Sequence, residues 1–184
     1  LASLDLGYYR SQVSLVDTQP SFFAGSIEEN IRRVRPNISA REMEVVIEDS
    51  GLGMLTENMP DGLSTHLDQT GSTLSLAHTI IVSLARSLAS NPNLLLLDET
   101  FNSLDKRVLV HLKSNLDKIS SGRTLIATTH DMRFIVDFDW IIVLDQGKVV
   151  GQGRHGELLK NCPLYADLWL LEEQISGTKS GSKR

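Results

Sequence analysis

Residues 93–105 read NLLLLDETFNSLD, four consecutive leucines running into the adjacent carboxylates of Asp98 and Glu99. An unbroken apolar run that ends in acid predicts a strand buried on both faces, as in the middle of a parallel sheet, with both acids emerging at its carboxyl end. Open α/β sheets bind their ligands at that end. There, one acid can hold Mg²⁺ through its water shell and a second can orient or deprotonate an attacking water, the two tasks that hydrolysis of a nucleoside triphosphate sets. The dipeptide by itself is equally well read as a strand ending in a polar turn, so the flanking chain has to decide.

Downstream, Ser103 is expected to cap a helix from Leu104 to about Ile119, with Leu109, Leu112 and Leu116 on its buried side and Gly122 breaking it. TLIAT at 124–128 reads as a second short buried strand ending in Thr129-His130-Asp131, which puts His130 at the same sheet edge as Glu99. A lone histidine is more often a surface or capping residue, but one at a strand tip beside a neighbouring strand's carboxylates is a better functional candidate. WIIVL at 140–144 and KVV at 148–150 flank Asp145-Gln146-Gly147 as a hairpin, and 156–173 reads as helical.

Upstream, GSTLSLAHTIIVSLAR at 71–86 runs into a helix that reaches about Ala89 and stops at Asn91-Pro92. Ile80, Ile81, Leu84, Ala85 and Leu88 recur at helical spacing, which core packing explains. Ser75 and the amides of the first turn form a ready anion site. Residues 12–16, QVSLV, predict another short buried strand, followed by the loop DTQPS, where Pro20 holds Gln19 extended. SIEE at 26–29 and SARE at 39–42 have capping-box spacing; the first starts a helix to about Val34, and Gly51 can end the second. Two capped helices in succession suggest a small helical lobe, and 54–69 is loose, with a turn at Pro60-Asp61-Gly62. The alternation of strand and helix predicts an α/β fold with a parallel sheet and right-handed crossovers.

With 184 residues, 41% hydrophobic and 22% charged, the chain can bury one core, and one domain is the default. A net charge of -5 and a pI near 5.5 argue against a nucleic-acid backbone as main partner. The single cysteine, Cys162, excludes an internal disulfide or thiolate zinc cluster and fits a reducing compartment. No apolar stretch reaches the roughly 18 residues needed to cross a bilayer, and the start LASLDLGYYRSQ lacks a signal peptide's basic end and apolar centre. Any membrane link is then expected through a partner, and the tail SGTKSGSKR at 176–184 is expected to be a solvated end.

Taken together these pieces resemble the nucleotide-binding domain of an ATP-binding-cassette (ABC) transporter over nearly the whole chain. QVSLVDTQPSFFAGSIEENI looks like the Q-loop and the segment after it, GSTLSLAH takes the place of the signature motif, LLLLDE that of Walker B, SLD at 103–105 that of the D-loop, and His130 that of the switch histidine. The spacing agrees, with Ser75 23 residues before Asp98 and Glu99 31 before His130. FFAGSIEENI and PLYADLW at 163–169 favour an exporter half over an importer subunit.

The resemblance implies a P-loop NTPase-like (RecA-like) parallel sheet flanked by helices, with the helical lobe inserted after the Q-loop. Residues 1–175 would be a partial ATPase domain, the lobe at about 25–90 and the sheet core at about 10–20 and 91–160. It implies ATP and Mg²⁺ as ligands, a transmembrane domain and a second nucleotide-binding domain as partners, no nucleic acid, and a place at the cytoplasmic face of a membrane. By the same resemblance Asp98 holds the Mg²⁺ shell, Glu99 polarises the attacking water, His130 contacts the γ-phosphate, and Asp105 relays between subunits. Leu74, Ser75, Leu76, Ala77 and His78 face the partner's nucleotide.

Three departures stand out. No Gly-x-x-x-x-Gly-Lys-Ser/Thr loop occurs in these residues, and the family places that cradle ahead of where the sequence starts, so independent tight ATP binding is not expected. The usual LSGGQ is here Leu74-Ser75-Leu76-Ala77-His78, and a leucine in place of the first glycine obstructs backbone approach to phosphate unless it packs inward. Thr18 stands where the Q-loop glutamine is expected, with Gln19 one place late; either could serve. Two rival readings are a non-hydrolysing regulatory half and a soluble ABC protein acting on nucleic acid or ribosomes.

Overall fold

The computed structural model describes residues 5–178. The chain divides into two compact units, one running to Thr128 and one from Thr129 on.

The first unit opens with α1 (Leu6–Gln12), capped by Asp5, and passes directly into β1 (Val13–Val16). The two-residue strands β2 (Gly25–Ser26) and β3 (His66–Leu67) pair antiparallel around a helical stretch of α2 (Ile27–Val34), α3 (Ala40–Ser50) and α4 (Leu52–Thr56). Both predicted capping boxes form. Ser26 Oγ accepts from the Glu29 amide while Glu29 accepts from the Ser26 amide at 2.7 Å, and Ser39 with Glu42 repeats the device. The Ser39 hydroxyl and amide hold the Glu42 carboxyl down at about 2. Gly51 ends α3 in the left-handed conformation, as expected of a C-terminal glycine.

Helix α5 (Leu76–Ala89) departs from the single-faced pattern: ten of its fourteen residues are buried, so it is a central helix rather than a sheet-covering one. It packs on α2, α3 and α4 and also against β1, which joins the helical stretch to the sheet. β4 (Leu94–Asp98) is the middle strand of a parallel three-stranded sheet in the order β1-β4-β5, with β5 at Thr124–Thr128. The expectation that β4 is buried on both faces needs correction. Leu95 and Leu97 are buried, whereas Leu94 and Leu96 are only half-buried. Leu96 pairs with Leu15 and Ile126, which are 53% and 51% exposed, so among the described residues this face of the sheet is open.

The helix after β4 also differs. A 3-10 turn at Thr100–Ser103 carries the chain past Ser103, and Asp105 caps α6 (Lys106–Ser114) by accepting from the Arg107 and Val108 amides at 2.8 and 3.1 Å. A break at Asn115 then separates α7 (Leu116–Ser120). Asp105, two residues on, takes the cap because the chain is in a 3-10 turn through Ser103 and α6 begins only at Lys106.

The second unit contains α8 (Met132–Ile135), the hairpin β6 (Ile141–Asp145) and β7 (Lys148–Gly153), α9 (His155–Asn161) and α10 (Pro163–Thr178). The hairpin turns at Gln146 and Gly147 with φ of 46° and 75°, the left-handed pair that matches strand twist. The single helix expected over 156–173 is two, because Pro163 cannot continue α9 and instead starts α10. Helix α10 runs to Thr178, three residues into the expected tail; 179–184 lie outside the described residues. The core of this unit is Met132, Ile141, Val143, Leu158, Cys162 and Tyr165. No helix among the described residues is long and apolar enough to cross a membrane.

Asn30 is the polar keystone of the first unit. It is 1% exposed, accepts from the Phe23 amide at 2.9 Å and donates to the Phe23 and Ser26 carbonyls at 2.9 and 3.0 Å. Asn30→Ala would remove three hydrogen bonds and strip the Phe23 amide and carbonyl of their side-chain partner, and is expected to lower stability by roughly 2 to 3 kcal/mol, read as a shift of the urea midpoint at unchanged slope.

Candidate functional site

Asp98 is the last residue of β4 and Glu99 follows it with φ of 50°, in the left-handed region that a glutamate rarely enters. The backbone is held there by β5. The Glu99 amide donates both to the Thr128 carbonyl, at 3.1 Å, and to Thr128 Oγ1, at 3.0 Å. Thr128 Oγ1 in turn donates to Asp98 Oδ1 at 2.5 Å. One hydroxyl therefore bridges the two positions, accepting from the backbone of Glu99 and giving its proton to the carboxylate of Asp98. Both acids remain exposed at the strand tip. The residue that makes this junction, Thr128, was not among the sequence candidates; its signal was a hydroxyl closing the strand just ahead of His130.

Asp98 supplies one carboxylate, and no cluster of three or more His, Cys, Asp or Glu suited to a metal occurs among the described residues. One exposed carboxylate at a strand tip can serve Mg²⁺, which keeps several waters and takes one or two carboxylates together with substrate phosphate oxygens. His130 lies two residues beyond the end of β5, exposed, within the second unit. Asp131 next to it caps α8 by accepting from the Arg133 amide at 2.9 Å.

The loop after β1 begins with Asp17, whose carboxylate accepts from the Gln19 amide at 3.0 Å; Thr18 is half-buried and Gln19 exposed. The next residues are gripped by α5. Arg86 donates to the Ser21 carbonyl at 2.8 Å and lies over the Phe22 ring, while Arg33 sits 4.1 Å from the centre of the Phe23 ring. Burial lowers the Arg86 guanidinium's affinity for its proton, and Asp17 opposes that shift. Beneath these rings lies a cleft of about 380 Å³.

Ser75 is the N-cap of α5, accepting from the His78 amide at 3.3 Å. Leu76 is the first helical residue and is 50% exposed, so it does not pack inward; Leu74, Ala77 and His78 are half-buried. The preceding loop is organised by Asp68, which accepts from Thr70 and Ser72, their contacts holding its carboxyl down at about 2. Gly71 follows with φ of 65°, where a Cβ would lie 2.9 Å from both Phe22 and Thr79, so only glycine lets the loop approach these side chains. The Gln69 carbonyl accepts from the Phe22 amide at 3.1 Å, tying this loop to the one after β1. Asp105 is exposed, but its carboxylate already serves as the α6 cap.

The ABC transporter family pattern matches residues 3–102, more than half of the chain. An uncharacterized ABC transporter ATP-binding protein of Bacillus subtilis, YknV, is 34% identical over 168 residues, covering 91% of this chain and 28% of its own length. A multidrug resistance ABC transporter ATP-binding and permease protein of Lactococcus lactis is 33% identical, covering 89% of this chain and 28% of its own. The chain thus spans well under a third of these relatives. Among solved structures, a bacterial Atm1-family ABC exporter with ATP bound superposes with a TM-score of 0.85 at 30% identity, over 94% of this chain and 30% of that one. With the parallel sheet, the paired acids at its tip and the helix capped by Ser75 already in place, the family match makes the chain a member of the ABC transporter family.

Proposed function

We propose that this chain works as part of an ATPase domain that hydrolyses MgATP and powers transport, with export favoured, at the cytoplasmic face of a membrane. Its helical lobe, about 25–90, and its sheet core would act together in a head-to-tail pair of such domains coupled to a transmembrane partner. The observation that carries the reading is the left-handed backbone at Glu99, pinned by Thr128 beside Asp98. A non-glycine residue held in that conformation costs on the order of 1 kcal/mol or more, and beside a second exposed carboxylate at a sheet's carboxyl edge that strain points to a functional role.

In this reading Asp98 holds the water shell of Mg²⁺, which when bound neutralises charge on the phosphates. Glu99 orients the attacking water and takes its proton, and His130 contacts the γ-phosphate. Gln19 or Thr18 lines the approach from the loop after β1, and Asp105 relays between the paired domains. Leu74, Ser75, Leu76, Ala77 and His78 face the nucleotide held by the second domain. The half-exposed Phe23, fixed by Asn30 and Arg33, is a rigid apolar point on which the membrane partner would bear.

A second reading, in which the chain is a regulatory half, is favoured by one observation: Leu76 is exposed at the start of α5, adding bulk where a phosphate must approach. Steady-state ATPase measurements on the assembled transporter decide between the two, since a regulatory half leaves turnover to its companion domain. The purified 184-residue chain is expected to bind MgATP only in the millimolar range or weaker, about 4 kcal/mol or less of binding free energy, because these residues contain no phosphate-cradling loop. Micromolar binding by calorimetry would contradict this account of where the affinity comes from.

A further inference from the structure

We propose that α10 positions the switch histidine, with Arg133 and Glu172 as the positioning residues. The inference rests on the reading of His130 given above. Helix α8 has only four residues, too few to be stable through its own hydrogen bonds, so contacts with the rest of its unit must fix it. Two such contacts are present. Met132 enters the apolar core of the second unit, and Arg133 bridges two carboxylates.

On one side Arg133 donates to both oxygens of Asp131, through Nε to Oδ1 at 3.1 Å and through Nη2 to Oδ2 at 2.9 Å. On the other its Nε lies 3.1 Å from Oε1 of Glu172 on α10. The two carboxylates are largely withdrawn from solvent, with side chains 15% and 21% exposed, whereas Arg133 is 56% exposed. Two partly desolvated acids sharing one guanidinium repel each other unless that cation stays between them, so the bridge adds an electrostatic link between α8 and α10 to their apolar packing. Asp131 is pulled below the usual carboxylate range against its burial by the Arg133 hydrogen bonds and charge, which keeps the cap ionised.

His130 immediately precedes that cap. Its backbone is held by the Asp131 amide, which donates to Thr129 Oγ1 at 3.0 Å, and by the Asp131–Arg133 fork, which Glu172 steadies from α10. A change in α10 would reach the histidine through this ion pair, alongside the apolar packing of Met132 with Tyr165. Arg133 touches neither the water nor the phosphates in this scheme; it acts by holding the turn.

The test uses Glu172→Gln, which keeps shape and removes charge, Glu172→Asp, which keeps charge, and Arg133→Gln, each in the assembled transporter and in the 184-residue chain. Glu172→Gln and Arg133→Gln are expected to lower kcat by about five- to twentyfold, with KM for ATP changed by less than about twofold, because the turn is misplaced rather than the nucleotide lost. Glu172→Asp should recover most of the loss. Histidine-resolved NMR on the chain alone should move the His130 ring signal in Glu172→Gln and leave those of His66 and His111 in place.

An unmoved His130 signal together with unchanged kcat would overturn the proposal. A loss of kcat matched by a general fall in melting temperature, and not recovered by Glu172→Asp, would also overturn it in favour of a purely structural bridge. His130→Ala separates the underlying reading: if that variant turns over normally, His130 is not a γ-phosphate contact and the catalytic half of the proposal falls with it, while the NMR result still decides whether α10 sets the histidine.

Discussion

Replacing Glu99 with glutamine is expected to lower ATP turnover in the assembled transporter by at least about a hundredfold, or roughly 2.7 kcal/mol of transition-state stabilisation, while leaving nucleotide binding unchanged. An amide keeps the length and shape of the carboxylate but carries no charge to orient a water and cannot take its proton. What fixes the position is the Glu99 amide on Thr128, a backbone interaction that the side-chain change leaves intact. Glutamine and glutamate differ little in tolerance of the left-handed region, so folding should be unaffected and the melting temperature serves as the control. Turnover within about threefold of the parent would remove Glu99 from the mechanism. Thr128→Val is a milder companion, since it deletes the hydroxyl bridging Asp98 and the Glu99 amide while preserving shape. Its loss should be about tenfold and should be accompanied by a higher Mg²⁺ requirement.

The second large effect is a gain. Leu76→Gly with Ala77→Gly is expected to raise turnover by up to about tenfold, the worth of one charge-assisted contact of roughly 1.5 to 3 kcal/mol only partly regained. In sequence the outcome turned on whether Leu76 points outward or packs beneath the helix. It is 50% exposed at the first position of α5, while Ser75 remains the N-cap. The leucine therefore presents bulk at the helix start, and removing it uncovers the amides of the first turn next to the Ser75 hydroxyl. The opposing cost is helix propensity, at most about 1 kcal/mol per glycine and less at a terminus. Because α5 is buried along most of its length against three other helices and β1, that cost should appear in melting temperature rather than as unfolding. A flat or reduced rate in a variant that is still folded would show that the altered signature is not what limits hydrolysis.

Local interactions account for what the sequence determined by itself. The capping boxes at Ser26 and Ser39, the left-handed stop at Gly51 and the turn at Gln146-Gly147 are satisfied within a few residues, so their patterns could be read directly. The parallel order of the strands followed from short apolar runs separated by helices, and the acids at the tip of β4 followed from where the leucines end. Tertiary structure decided the rest, because those choices depend on groups distant in the chain. Burial of α5 on nearly all sides, rather than along one stripe, comes from three helices converging on it. The half-exposure of Leu96 comes from the open side of Leu15 and Ile126, which a run of four leucines cannot reveal. The cap passed from Ser103 to Asp105 because a 3-10 turn intervened. The grip of Thr128 on Asp98 and Glu99, across about 30 residues of sequence, exists only because β4 and β5 pair in parallel register, which turns two neighbouring acids into a constrained site.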